Sequence, residues 1–158
     1  MAGLHFDESL VVMLDDADLD TYGVEDRLCD ILYEGGWVKP SFRGALHERE
    51  MAFPTDLDAV SFGARFNVAV PHCDPEHVQH GAVCVGILRE PVKWRRMDDA
   101  SKSCDVSLVA MLALDEAHGH LEMLQKVMGL VQDDASMAEI LGAGDIHAAY
   151  ELLKSKLP

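Results

Sequence analysis

Phe66-Asn67-Val68-Ala69-Val70-Pro71-His72 reads as a short strand that ends in a histidine. Phe66, Val68 and Val70 alternate with Asn67 and Ala69, the period of two that marks a half-buried strand. Pro71 has no N–H to give to a ladder, so pairing is expected to stop there. His72 would then be displayed at the mouth of a sheet. Open α/β sheets keep their chemistry at strand ends, and a neutral imidazole can move a proton or attack phosphorus near neutral pH.

On the N-terminal side of this stretch, Leu10 to Leu14 reads as an opening strand followed by an acidic turn through Asp15 to Asp20. Val24, Leu28, Ile31 and Leu32 share one helical face between Tyr22 and Glu34, and Gly35-Gly36 stops that helix. A second helix is expected from Ser41, with Phe42, Ala45 and Leu46 inward, running past Arg49 and ending at Phe53-Pro54-Thr55. On the C-terminal side, Ala82 to Leu88 and Val106 to Leu114 are almost wholly apolar, which predicts interior strands covered on both faces. The polar stretch Arg89 to Ser103 between them reads as a long excursion or an edge hairpin. Asp115 is expected to cap a helix with Leu121, Leu124, Met128 and Val131 inward. Gly142-Ala143-Gly144 then breaks the chain before Asp145 caps a last helix carrying Ile146, Ala149, Tyr150, Leu153 and Leu157. Strands alternating with helices predict an α/β layered domain.

A chain of 158 residues suits one domain spanning 1–158, with a core that needs no staples. Its four cysteines, at 29, 73, 84 and 104, form no C-x-x-C pair and lie in or beside apolar segments, the pattern of reduced thiols in a cytoplasmic protein. The first residues lack a basic region ahead of an apolar stretch, so no secretory leader is expected. No apolar run is long enough to span a bilayer, so any link to a membrane transporter would run through a protein partner. A formal net charge of −15 argues against nucleic acid or anionic lipid as a partner and is compatible with a partner that offers a basic face.

Arg49-Glu50, Phe53-Pro54-Thr55, Val68-Ala69-Val70-Pro71-His72 and His120-Leu121 stand in an order that resembles the type-2 enzyme IIA of the phosphoenolpyruvate-dependent sugar phosphotransferase system, the group with fructose, mannitol and galactitol branches. The Arg-Glu-x-x-Phe-Pro-Thr string and Pro71-His72-Cys73 are most similar to the galactitol branch, whereas a histidine ahead of Leu121 is a feature of the fructose and mannitol branches. The resemblance implies a three-layer sandwich with a mixed, about five-stranded central sheet flanked by helices. It further implies a phosphotransferase that works through a phosphohistidine: a phosphocarrier accepting phosphate from the histidine phosphocarrier HPr on His72 and passing it to a cysteine of a sugar-specific IIB component. A regulatory module of the nitrogen-related type, reporting phosphorylation state, is the alternative.

In that reading His72 is the nucleophile, and His120, near a helix start, hydrogen-bonds the phosphoryl group. Arg49 holds its oxygens through the guanidinium. The plain alternatives are a helix-edge histidine for His120 and an ion pair with Glu48 or Glu50 for Arg49. Thr55 has two uses open, a hydroxyl hydrogen bond near the site or a turn cap. Asp74-Pro75-Glu76 looks like an N-cap followed by proline at the first helical position, which would bring backbone N–H groups near His72; the Asp74 carboxylate would oppose phosphate unless turned to the cap. His72, Cys73, His77 and His80 match no closed zinc spacing, so neither a metal nor another cofactor is expected.

Overall fold

The computed structural model describes residues 4–16, 18–116 and 119–157, with Ser61, Gly119 and His120 described by their backbone alone. A short 3-10 turn, Glu8–Leu10, leads into strand β1, Val11–Leu14. Helix α1, Thr21–Glu34, is opened by Asp20, whose carboxylate accepts from the Gly23 N–H at 2.7 Å. Gly35 closes it and Gly36 takes the left-handed conformation that glycine adopts without cost. Helix α2, Phe42–Ala52, begins after Ser41 and ends at Phe53. Strand β2, Asn67–Ala69, is followed by β3, Ala82–Arg95, and β4, Ser103–Ala113. Helices α3, Gly119–Val131, α4, Asp134–Leu141, and α5, Ile146–Leu153, complete the chain.

Among the described residues the sheet has four strands in the order β1-β3-β4-β2. β1 runs parallel to β3, β3 antiparallel to β4, and β2 parallel to β4, so the sheet is mixed. Leu14, Leu28, Leu32, Phe42, Leu46 and Met111 build the core between one face and α1–α2. On the opposite face Val70, Ile87, Leu112, Val127, Ile140 and Leu153 pack beneath α3–α5. Helix–sheet–helix layering is therefore present, with four strands where about five were expected. Arg89–Ser103, expected as a long excursion or an edge hairpin, is a hairpin: it prolongs β3 and β4 beyond an irregularity between Ile87 and Val92. Val92 and Trp94 are buried there while Lys93 is exposed, so alternation continues through this largely polar stretch.

Two further expectations need correction. Helix α3, described over Gly119–Val131, buries Met123, Val127, Leu130 and Val131, whereas Leu121, expected inward, is 66% exposed; the stretch by which Asp115 was expected to cap it includes residues 117 and 118, outside the described residues. α4 was not foreseen; Asp133 caps it, accepting from the Ser136 N–H at 3.1 Å and from its hydroxyl at 2.7 Å. Asp145 caps α5 as expected, accepting from the Ala148 N–H at 2.8 Å.

β2 is buried along its whole length, not half-buried. The irregular segment from Thr55 to Leu57 runs along its outer edge: the Leu57 N–H donates to Val68 O at 2.9 Å and the Val70 N–H to Thr55 O at 3.1 Å. Asn67, buried too, accepts from the Val60 N–H and donates to Asp105 O. Pairing also outlasts Pro71. A proline lacks the donor but keeps its carbonyl, and the Leu112 N–H donates to Pro71 O at 2.9 Å, with His72 bridged to Leu112.

Candidate functional site

Because β2 and β4 are parallel, their C-terminal ends reach the same edge of the sheet, and the bridge to Leu112 sets His72 on that edge. The imidazole is only 7% exposed. Its Nδ1 lies 2.7 Å from Val70 O. A carbonyl oxygen can only accept, so the proton sits on Nδ1 and the ring's lone pair is on Nε2. The chain leaving β4 enters α3 from this same edge, and His120 is the second residue of that helix. The His120 side chain lies outside the described atoms, and His118 outside the described residues.

Arg49 rises from the last turn of α2. Its guanidinium lies over the Phe53 ring, 5.3 Å from the centroid, and Nη1 is 3.9 Å from Asp74 Oδ1. Arg49, Phe53, Cys73, Asp74 and His77 line one shallow cavity of about 260 Å³ beside His72. Arg49 thus pairs loosely with Asp74, not with Glu48 or Glu50. A cation over an aromatic face keeps its charge available to a second anion.

The Asp74-Pro75-Glu76 expectation is met only in part. Pro75–His77 is a single 3-10 turn with Asp74 ahead of it, and the Asp74 carboxylate makes no capping hydrogen bond. The His77 and Val78 N–H groups donate to Asp74 O and Pro75 O, so this turn brings no helix N-terminus to His72. Cys73 is buried, and burial, reinforced by Asp74, pushes its thiol up to about 12. His77 is tied to Ser41 Oγ at 2.8 Å, and the His80 ring meets Trp37 edge-on. Among the described residues no three His, Cys, Asp or Glu side chains converge as a metal site.

Thr55 is buried and its hydroxyl donates to Glu50 Oε1 at 2.7 Å, while its N–H donates to Glu50 Oε2 at 2.8 Å. The hydroxyl hydrogen is therefore committed to the Glu50 side chain, a use outside the two expected for it. The alternative of an Arg49–Glu50 ion pair fails because Glu50 points inward and is 3% exposed. A signal was available: a carboxylate in the last turn of a helix opposes the helix dipole, so its presence there asks for a committed partner. Deeper still, Glu25 of α1 is fully buried, with Oε1 2.9 Å from His47 Nδ1, and burial assisted by the neighbouring Glu50 pushes its carboxyl up to about 8. His47 is raised in turn, chiefly by its hydrogen bond to Glu25.

A histidine on a strand-end edge with a fixed tautomer, two residues before the Asp74 that Arg49 pairs with loosely, is an arrangement suited to an anion. Residues 6–156 match the family described as "Phosphoenolpyruvate-dependent sugar phosphotransferase system, EIIA 2". The chain belongs to that family. The multiphosphoryl transfer protein of Shigella flexneri is 26% identical to this EIIA chain over 102 residues, 63% of the chain and 12% of that protein's length. The EIIA chain therefore spans about an eighth of that curated relative. Among solved structures, the mannitol IIA of Escherichia coli superposes with a TM-score of 0.74 at 20% identity, covering 94% of this chain and 99% of that one. The enzyme IIA of the E. coli complex between enzyme IIAMTL and phosphorylated enzyme IIBMTL gives 0.73 at 19% identity, covering 96% and 97%. At these identities the likeness is one of fold. No helix among the described residues is long and apolar enough to cross a membrane.

Proposed function

We propose that this chain is a cytoplasmic phosphocarrier, one IIA domain over 1–158, that takes a phosphoryl group from phospho-HPr on His72 Nε2 and passes it to a cysteine of a sugar-specific IIB protein. The observation that carries this reading is the 2.7 Å contact from His72 Nδ1 to Val70 O. It orients the ring and leaves the lone pair on Nε2. In the first step the N–P bond of the donor breaks as the Nε2–P bond forms. The ring, still holding its Nδ1 proton, becomes cationic, and the Val70 carbonyl stabilises that charge. In the second step an incoming thiolate takes the phosphorus, the Nε2–P bond breaks with its electron pair returning to nitrogen, and neutral His72 is restored. No proton has to move in either step. Such transfer depends on positioning and on charge stabilisation at the phosphoryl oxygens. Arg49 supplies that charge by exchanging its long contact with Asp74 for a phosphoryl oxygen, and His120 donates from the start of α3. Pro71-His72-Cys73 and the Arg49–Thr55 string favour the galactitol-type branch.

Incubation with phosphoenolpyruvate, enzyme I and HPr should add one acid-labile phosphate, seen by intact-protein mass spectrometry, and His72→Gln should abolish it. Labelling that persists in that variant removes His72 from the role. Mixing the phosphorylated protein with an IIB protein encoded beside it should discharge the group to a cysteine. Retention of the phosphate together with phosphorylation-sensitive binding to another protein would instead establish the regulatory module.

A further inference from the structure

We propose that Glu50 is a positioning residue for His72, acting through the backbone of Thr55 to fix the tautomer and direction of the imidazole. The inference rests on the reading of His72 as the phosphoryl acceptor. Four hydrogen bonds link the two side chains. Glu50 accepts from the Thr55 N–H at 2.8 Å and from its hydroxyl at 2.7 Å. Thr55 O accepts from the Val70 N–H at 3.1 Å, and Val70 O accepts from His72 Nδ1 at 2.7 Å. Val70 is thereby held at both its polar groups, one toward Thr55 and one toward the imidazole.

The segment that carries Thr55 is tied by backbone hydrogen bonds to β2 and to the end of β3, and Glu50 adds the side-chain anchor at Thr55 itself. Phe53 leaves α2, and the residues that follow, as far as the 3-10 turn at Ala59, belong to no helix or named strand. A buried carboxylate is kept only if its oxygens are hydrogen-bonded; each oxygen of Glu50 accepts one bond from Thr55, and the raised Glu25 carboxyl lies within hydrogen-bonding reach as well. The helix end that carries it is covered by Arg95, which donates to Glu50 O at 3.0 Å and to Met51 O at 2.6 Å. That guanidinium offsets the unfavourable meeting of a carboxylate with a helix C-terminus. Carboxylate, threonine and valine thus form a splint from α2 to the base of the imidazole. A displacement of roughly 1 Å at a reacting group can cost about 100-fold in rate, so the splint lies on the path of the chemistry without touching phosphate.

Glu50→Ala, Glu50→Gln and Thr55→Val, each in the full chain, test this. The carboxamide of Glu50→Gln can accept from the Thr55 N–H and donate to the Thr55 hydroxyl, so it should restore what alanine removes. ¹⁵N-histidine NMR on the unphosphorylated protein reads the His72 tautomer, and phosphorylation by phospho-HPr gives the rate. Glu50→Ala should mix the two His72 tautomers and slow phosphorylation roughly 10- to 100-fold, with Glu50→Gln returning both readouts to within a few-fold of the parent. An unchanged tautomer in Glu50→Ala overturns the inference, as does a Glu50→Gln protein as impaired as the alanine variant. Should Glu50→Ala fail to fold, Thr55→Val, which loses only the hydroxyl bond, must show the tautomer shift in milder form; a parent-like ring there is equally decisive against it. A parent that takes no phosphate on His72 would sink the phosphocarrier reading alone, because the tautomer measurement needs no phosphate.

Discussion

Glu25→Gln gives the sharpest test of the buried polar layer between α1 and α2. Glu25 and His47 share a hydrogen bond of 2.9 Å in a place where Glu25 has no exposure. Burial raises the Glu25 carboxyl from its ordinary 4.5 to about 8, and His47 is raised above its ordinary 6.5, chiefly by the bond to Glu25. Whichever of the two carries it, the pair holds one proton in the folded state that the unfolded chain gives up progressively above pH 6.5. Both shifts are upward, so their contribution to stability is largest below the unfolded values and is lost as pH rises through the folded ones. One extra bound proton corresponds to about 1.4 kcal/mol per pH unit; because the unfolded histidine is half protonated at pH 6.5 and the Glu25 carboxyl half ionised at about pH 8, about 1 kcal/mol is lost across that interval. Glutamine cannot titrate. The difference between parent and Glu25→Gln, measured by urea unfolding at a series of pH values, should shift by that amount in favour of the variant, or about 2–4 °C in melting temperature for a chain of this length. Asp56, which burial raises to about 7, adds a slope of the same sign to both proteins and cancels in the difference. Parallel pH profiles for parent and variant would show that the pair holds no such proton.

Two other outcomes are expected. His120→Ala should unfold within roughly 1 kcal/mol of the parent while phosphoryl transfer slows about tenfold to a thousandfold through loss of one charge-stabilising contact; urea titration and single-turnover transfer measure the two, and a fully active variant would make His120 a bystander. Asp145→Ala removes the acceptor for the Ala148 N–H at the start of α5 and should cost about 1 kcal/mol by thermal denaturation, with phosphorylation unaltered.

The parts of the fold that were legible in the sequence are those whose causes are local. Gly35-Gly36 ends α1 where expected because a helix stop at glycine is a decision of a single turn. The outer part of the β3–β4 hairpin was legible only as one of two readings, since Lys93 and Arg95 masked the inward alternation of Val92 and Trp94. Full burial of β2 also escaped, because the edge is covered by Thr55–Leu57, whose pairing no periodicity announces. In α3, Leu124, Met128 and Val131 pack inward as expected, but Met123 and Val127 form the centre of the buried face, which turns Leu121 out to solvent. At the site, His72 and Arg49 follow from motif and strand ending. Glu50 did not, because sequence gives the position of a carboxylate on a helix but not the five-residue return by which Thr55 comes back to meet it.

The parallel pairing of β2 with β4 has a consequence for how the protein is made. Leu112, which bridges to His72, lies 40 residues further along the chain. At a synthesis rate of about 5–20 residues per second, the histidine leaves the ribosome roughly 2 to 8 s before the strand that seats it. During that interval Val68 and Val70 have no sheet to join, and the imidazole has no edge to stand on. The β3–β4 hairpin, contiguous in sequence, can form on its own schedule and then collect β1 on one side and β2 on the other. A nascent chain halted before Leu112 would therefore carry the proposed phosphoryl acceptor without the surface that orients it, and on that proposal the site is assembled only when the centre of the sheet is complete.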